Sequence, residues 1–254
     1  MNLNKTYKKL KLKALILRQK TLLMFIEKKE AHLGGSFSMI EILLGLFHII
    51  NIKKDKFILS KSHSSFPLCI LLRDYGFNPK IKTHLEIDKK NGIHCTTGSL
   101  GHGLPIATGM AFANKLKKNK KKIYVLISDG ECQEGTTWET LLIASKHKLN
   151  NLFILIDYNK IQALSHLKDA LPLENLEKKI KSFNLDCINV KDGHSLVSII
   201  KALQKKEHKI KPRVIIFNTV KGKGIEEFEH DPVWHARKLQ SSELKIAKKR
   251  LDLK

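Results

Sequence analysis

Cysteine, arginine, proline and long apolar runs are all scarce in this chain, and each scarcity narrows what the protein can be. The four cysteines, Cys69, Cys95, Cys132 and Cys187, share no metal-binding spacing. Scattered thiols of this kind point to a reducing compartment and to buried structural roles. No apolar stretch approaches the length of a membrane span. The N-terminus alternates lysines with Leu10, Leu12, Leu15, Ile16 and Leu17, which is the pattern of an amphipathic helix and not of a secretory leader. It is also too poor in arginine and serine for an organelle presequence, so a cytoplasmic location is expected, without a membrane.

Acid is short as well. Against 47 Lys and Arg stand only 24 Asp and Glu, a net charge of +23. A basic surface attracts polyanions. Yet only Arg18, Arg73, Arg213, Arg237 and Arg250 are arginines, and lysine runs such as Lys115–Lys122 lack interleaved aromatics. The charge therefore reads as a lysine-rich surface and not as a specific nucleic-acid site.

What the chain does contain is a regular alternation of short β-branched runs and amphipathic segments. Strands are expected near 57–60, 123–128, 152–157, 187–190 and 213–218. Helices are expected at 6–29, 38–50, 64–75, 103–117, 136–148, 173–183 and 195–206. This alternation predicts an α/β fold, a doubly wound parallel sheet flanked by helices. Residues 1–254 form one expected domain, with 239–254 a charged tail or terminal helix, and segments 79–95 and 161–172 read as flexible loops.

Two strand ends carry metal-ligand chemistry. The run Ile123–Ile127 ends in Ser128-Asp129-Gly130, and the run Leu152–Ile156 is followed by Asn159, thirty residues beyond Asp129. A strand–helix–strand unit returns both strand ends to one edge of a parallel sheet, so Asp129 and Asn159 should meet. One carboxylate and one amide oxygen suit a hard cation such as Mg2+ when phosphate and water supply the remaining oxygens. The glycine-rich stretch Thr96–Ala113, with Gly98, Gly101 and Gly103 ahead of an apolar helix, supplies the backbone N–H groups an anion needs.

These segments carry a resemblance. The pair SDGE and DYNKIQ resembles the thiamine-diphosphate motif, and TTGSLGHG resembles the glycine loop of transketolases. HLGGSFSMIEILLGLF (His32–Phe47), DKFILSKSHSSFPLCILL (Asp55–Leu72) and KGKGIEEFEHDPVWHARK (Lys221–Lys238) resemble further transketolase blocks, in the family's order. The resemblance implies the thiamine-diphosphate-binding fold, with thiamine diphosphate and Mg2+ (or Ca2+ or Mn2+) as cofactors. By it, Asp129, Asn159 and the backbone carbonyl of Ile161 would hold the metal. His63, Gly98, Ser99, Leu100, Gly130, Glu131, Asn159 and His235 would hold the cofactor. His32, His84 and His235 would act on the substrate, while Glu134 and Glu139 would link paired sites at a subunit interface. His48, His147, His166 and His208 carry no motif.

Only 19 residues follow His235, and no segment resembles the family's pyrimidine-binding domain. The chain is accordingly expected to work with a partner, a C-terminal transketolase subunit, in a heterotetramer of two copies of each chain. Together they would transfer a two-carbon ketol unit between sugar phosphates. Ser62, Ser128 and Ala236 stand where the family has glycine, and Leu85 where it has proline. Another thiamine-diphosphate enzyme component, of the deoxyxylulose-phosphate-synthase or keto-acid dehydrogenase kind, and a non-catalytic subunit stay open as alternatives.

Overall fold

Five short runs become the strands of one parallel sheet in the computed structural model, which describes residues 3–30, 32–163 and 165–253. They are β1 (Lys56–Leu59), β2 (Ile123–Ser128), β3 (Leu152–Tyr158), β4 (Asp186–Val190) and β5 (Arg213–Asn218), in the order β1-β2-β3-β5-β4. The central strands are apolar on both faces because helices cover both. In β2, Tyr124 and Leu126 point to one helical layer, while Ile123, Val125 and Ile127 point to the other. The first layer contains α1 (Leu3–Lys28), α2 (Leu33–Ser38), α3 (Ile40–Ile49), α4 (Phe66–Arg73) and α9 (Leu196–Gln204). The second contains α5 (Gly103–Leu116), α6 (Gly135–Lys146) and α8 (Leu176–Ser182). The expected doubly wound architecture is what forms.

Helix α1 follows from its spacing. Leu10, Ala14, Leu17, Thr21 and Phe25 recur on one face and are all buried. Full burial of each Leu or Phe contributes about 1.5–3 kcal/mol. The helix stops where Lys29 turns left-handed at φ 52°, and Glu30 N–H donates to Phe25 O.

Three expectations need correction. The helix expected at 38–50 is two helices that begin at Leu33, interrupted at Met39 (φ −100°, ψ 2°). Ser38, just before the break, spends its hydroxyl on Asp157 Oδ2 at 2.6 Å, a tertiary partner invisible to local periodicity. The helix expected from 173 begins at Leu176, capped by the side chain of Asn175, and the short α7 (Leu167–Ala170) lies inside the expected 161–172 loop. Of that loop, residue 164 lies outside the described residues, as does residue 254 of the terminal segment. The terminal segment is helical, α10 (Ser241–Arg250); Ala247 and Leu251 are buried against the first layer, and Gln19 Nε2 donates to Leu251 O at 2.7 Å. Among the described residues no helix is long and apolar enough to cross a membrane.

The register fixes the site. Ser128 in β2 pairs with Asp157 in β3, so the two strands end level and deliver Asp129 and Asn159 to the same carboxyl edge.

Candidate active site

Asp129 and Asn159 line one cavity of about 270 Å³ at that edge. The Asp129 carboxylate accepts from Gly130 N–H at 2.9 Å and from Lys160 N–H at 2.5 Å, and Asn159 Oδ1 accepts from Ile161 N–H at 3.1 Å. The turn after β3 is thereby stitched to the end of β2.

All four motif histidines, His32, His63, His84 and His235, line this cavity. The rings of His32, His63 and His235 form a triangle with centroid separations of 5.4, 5.5 and 5.6 Å. Burial holds all three pKa values below the ordinary imidazole value, His235 at about 3 and His63 well down, helped by the lysines nearby. They are neutral at pH 7. Gly98 (φ +151°) and Gly101 (φ +77°) shape the glycine loop, and a Cβ on Gly98 would come within 2.7 Å of the His84 ring.

Two lysines and a second aspartate complete the charge pattern, and sequence reading assigned none of them. Lys61 Nζ donates to Gly35 O at 2.8 Å and to Asp157 Oδ2, and both charged side chains are fully buried. Burial alone would raise the Asp157 carboxyl, but Lys61, Ser38 and Thr219 outweigh it and hold it low. Lys221 Nζ donates to Ile161 O at 2.8 Å and lies 2.8 Å from His235 Nδ1. With Lys221 as an ammonium, Nδ1 accepts and His235 carries its hydrogen on Nε2. Burial pushes Lys221 down to about 7 and Asp129 up to about 6, and each charge draws the other back towards its ionised form. Lys61 and Lys221 each follow the carboxyl end of a strand, β1 and β5, and that position was the available signal.

The remaining expected residues divide. Gly98, Leu100, Gly130, Ile161 and Glu134 line the cavity. Ser99 is exposed and turns its hydroxyl to His102 Nδ1 at 3.3 Å, and Glu139 is exposed on α6. Glu131 faces inward: its carboxylate accepts from Ser60 Oγ, from Gly101 N–H at 3.1 Å and from Ser128 N–H at 2.9 Å. Its side chain braces the end of β1, the glycine loop and β2.

The donors fit a diphosphate with a hard cation. Among the described residues no cluster of three or more His, Cys, Asp or Glu could cage a metal. A cation held by the Asp129 carboxylate, the Asn159 amide and the Ile161 carbonyl would have to draw further oxygens from a ligand or water. Buried ammonium groups and a glycine loop suit the anion, and His32 Nδ1 is buried without a partner.

Residues 27–254 match the family model described as transketolase, thiamine diphosphate binding domain. The chain belongs to the transketolase family. It is 34% identical to one of the subunits of the apulose-4-phosphate transketolase of Actinobacillus succinogenes, over 96% of each chain. It is 34% identical to 6-deoxy-6-sulfo-D-fructose transketolase subunit SqwG of Clostridium sp., over 85% of this chain and 86% of that one. The crystal structure of Campylobacter jejuni transketolase superposes with a TM-score of 0.84 at 27% identity, covering 96% of this chain and 43% of that one. The chain thus spans less than half of that transketolase. Three of its departures from the transketolase motifs are absorbed locally. Ser62 Oγ donates to Thr97 O at 2.7 Å, Ser128 Oγ accepts from Glu131 N–H at 3.3 Å, and Leu85 is buried.

Proposed function

We propose that this chain is the N-terminal subunit of a two-chain transketolase, binding thiamine diphosphate and Mg2+ as a single diphosphate-binding domain. With a C-terminal partner subunit it transfers a two-carbon ketol unit from a ketose, as its phosphate, to an aldose. The observation that carries this reading is the convergence of Asp129, Asn159, the glycine loop and four motif histidines on one cavity.

In this reading Asp129, Asn159 and the Ile161 carbonyl hold the metal; Ca2+ or Mn2+ would suit the same oxygens. His63 and the backbone at Gly98, Ser99, Leu100, Gly130 and Glu131 hold the diphosphate, with Lys61 and Lys221 supplying positive charge. Bound thiamine diphosphate supplies the carbon nucleophile and the electron sink that ketol transfer requires. The protein's share is proton handling at substrate oxygens. His32, His84 and His235, which line the cavity, are assigned to it, and the neutral rings of His32 and His235 can donate or accept at pH 7.

Partner binding has support on the surface. Glu134 and Glu139 are exposed, and beside them Leu142 and Ile143 of α6 are 58% and 52% exposed. Leu100, on the cavity wall, is 38% exposed and Ile106 of α5 is 40% exposed. Apolar side chains at such positions suit burial under a second chain, and a heterotetramer with two copies of each subunit is the assembly proposed. A cytoplasmic complex agrees with the four free thiols.

Native mass spectrometry of the tagged chain isolated from its own cells tests the reading. A complex with a second chain and bound thiamine diphosphate is expected. A chain that stays alone, and takes up no cofactor when thiamine diphosphate and Mg2+ are added, overturns it.

A further inference from the structure

The backbone around Lys221 is held from both sides by a buried ionic cluster that lies outside the cavity. Val220 N–H donates to His194 Nε2 at 2.8 Å. On the far side, Arg18 Nε donates to Lys223 O at 2.8 Å. The two anchors meet at Glu41. Its carboxylate takes a two-pronged grip from Arg18, at 2.7 and 2.8 Å, and a hydrogen bond from His194 Nδ1 at 3.0 Å. Since Nε2 accepts from Val220, Nδ1 carries the hydrogen, and the tautomer of His194 is fixed. The three residues come from α1, α3 and the loop between β4 and α9, so distant parts of the chain converge on one short segment.

We propose that Arg18, Glu41 and His194 are positioning residues that set the ammonium of Lys221 against Ile161 and His235, in the part of the cavity that receives the diphosphate and its metal. The inference rests on the thiamine-diphosphate reading of that cavity. Lysine is a flexible stem, and its charged end is placed only if its backbone and stem are held. Here the stem threads past Gly34, where a Cβ would lie 2.9 Å from Lys221 Cγ, and Gly222 N–H donates to Gly34 O at 3.1 Å. Hydrogen bonds at Val220 and Lys223 bracket the lysine itself. A buried ion pair is weak evidence for stability, since apolar residues of similar volume often serve as well. This cluster spends one imidazole nitrogen and one guanidinium nitrogen on the backbone of a single loop, and ties both side chains back to the Glu41 carboxylate. That directional use is what a positioning role requires.

The test is a double-mutant cycle on the full complex of this chain with its partner, read by calorimetric titration with thiamine diphosphate in the presence of Mg2+. His194→Phe keeps the ring and removes both of its hydrogen bonds. It is expected to weaken binding about 10- to 100-fold, the range for partners that orient a binding group. Lys221→Met should weaken binding at least as much. Combining the two should add less than about twofold to Lys221→Met alone, because the positioned group is already gone. If the two losses in affinity multiply, the cluster serves the fold alone and the inference is overturned. If the wild-type complex binds no thiamine diphosphate, the functional reading fails instead. Should His194→Phe not assemble, Arg18→Lys runs the same cycle on the other anchor, keeping a cation beside Glu41 while losing the bond to Lys223.

Discussion

Replacing Glu41 by Gln removes one negative charge from the interior and should have a pH signature that no packing defect shares. Burial alone would raise the Glu41 carboxyl, but the Arg18 guanidinium and His194 outweigh it and bring the group from 4.5 down to about 2. A lowering of that size corresponds to about 3 kcal/mol of folding stability. Because the folded-state value is the depressed one, this stability is fully present above pH 4.5 and is lost as the pH falls towards 2. Glu41→Gln also leaves the Arg18 guanidinium, 7% exposed, without its counter-charge. Breaking a buried pair in this way costs on the order of 3–5 kcal/mol. Urea unfolding followed by circular dichroism, from pH 8 to pH 3, is the assay. The gap between wild type and variant should be flat from neutrality to about pH 5. Below that it should narrow by up to about 1.4 kcal/mol per pH unit. A gap smaller than about 1 kcal/mol at pH 7, or one that stays constant down to pH 3, would refute the assignment of that stability to the charged pair.

Other outcomes follow from the cavity. Asp129→Ala should abolish Mg2+-dependent binding of thiamine diphosphate in calorimetric titration, and an unchanged affinity would remove Asp129 from the metal site. In the complete two-chain complex, His32→Ala should leave cofactor affinity intact and slow ketol transfer by roughly 10²- to 10⁴-fold; an unaltered rate in a coupled assay would strike His32 from the catalytic set. Gly34→Ala would put a methyl group 2.7 Å from Trp234 O and 2.9 Å from Lys221 Cγ. It should cost about 1–3 kcal/mol in urea unfolding, and a variant as stable as wild type would contradict the close packing described.

Much of the fold was legible because its central strands are buried on both faces and its helices are periodic. Ile123–Ile127 and Leu152–Ile156 announce themselves by apolar continuity, and Asp129 and Asn159 follow from where parallel strands must end. The histidines were legible only through their motifs, since nothing in periodicity separates His63 from His48. What escaped was charge buried by tertiary structure. Lys61, Asp157 and Lys221 look like surface residues until Asp157 is seen taking Ser38, Lys61 and Thr219 at once. His194 and Glu41 are 153 positions apart, and no local rule pairs them. Glu131 is assigned to the cofactor by the resemblance alone, and no local rule shows that the short helical turn Gly130–Gln133 swings its carboxylate back towards Ser60 and Ser128.

Strand β3 also acts as a ruler. Side chains alternate along it, so Phe153, Leu155 and Asp157 share one face while Ile154 and Ile156 share the other. Losing or gaining one residue between Leu152 and Asp157 would carry Asp157 to the opposite layer, away from Lys61, and shift Asn159 relative to Asp129 in the same step. The apolar faces would hardly register the change, since isoleucine, leucine and phenylalanine exchange places across a core that is apolar on both sides. A lineage could therefore suffer such a slip and keep a folded protein while losing its chemistry outright. Length variation in this protein should accordingly accumulate in segments such as 79–95, where no strand fixes the count, and be purged from the seven residues of β3.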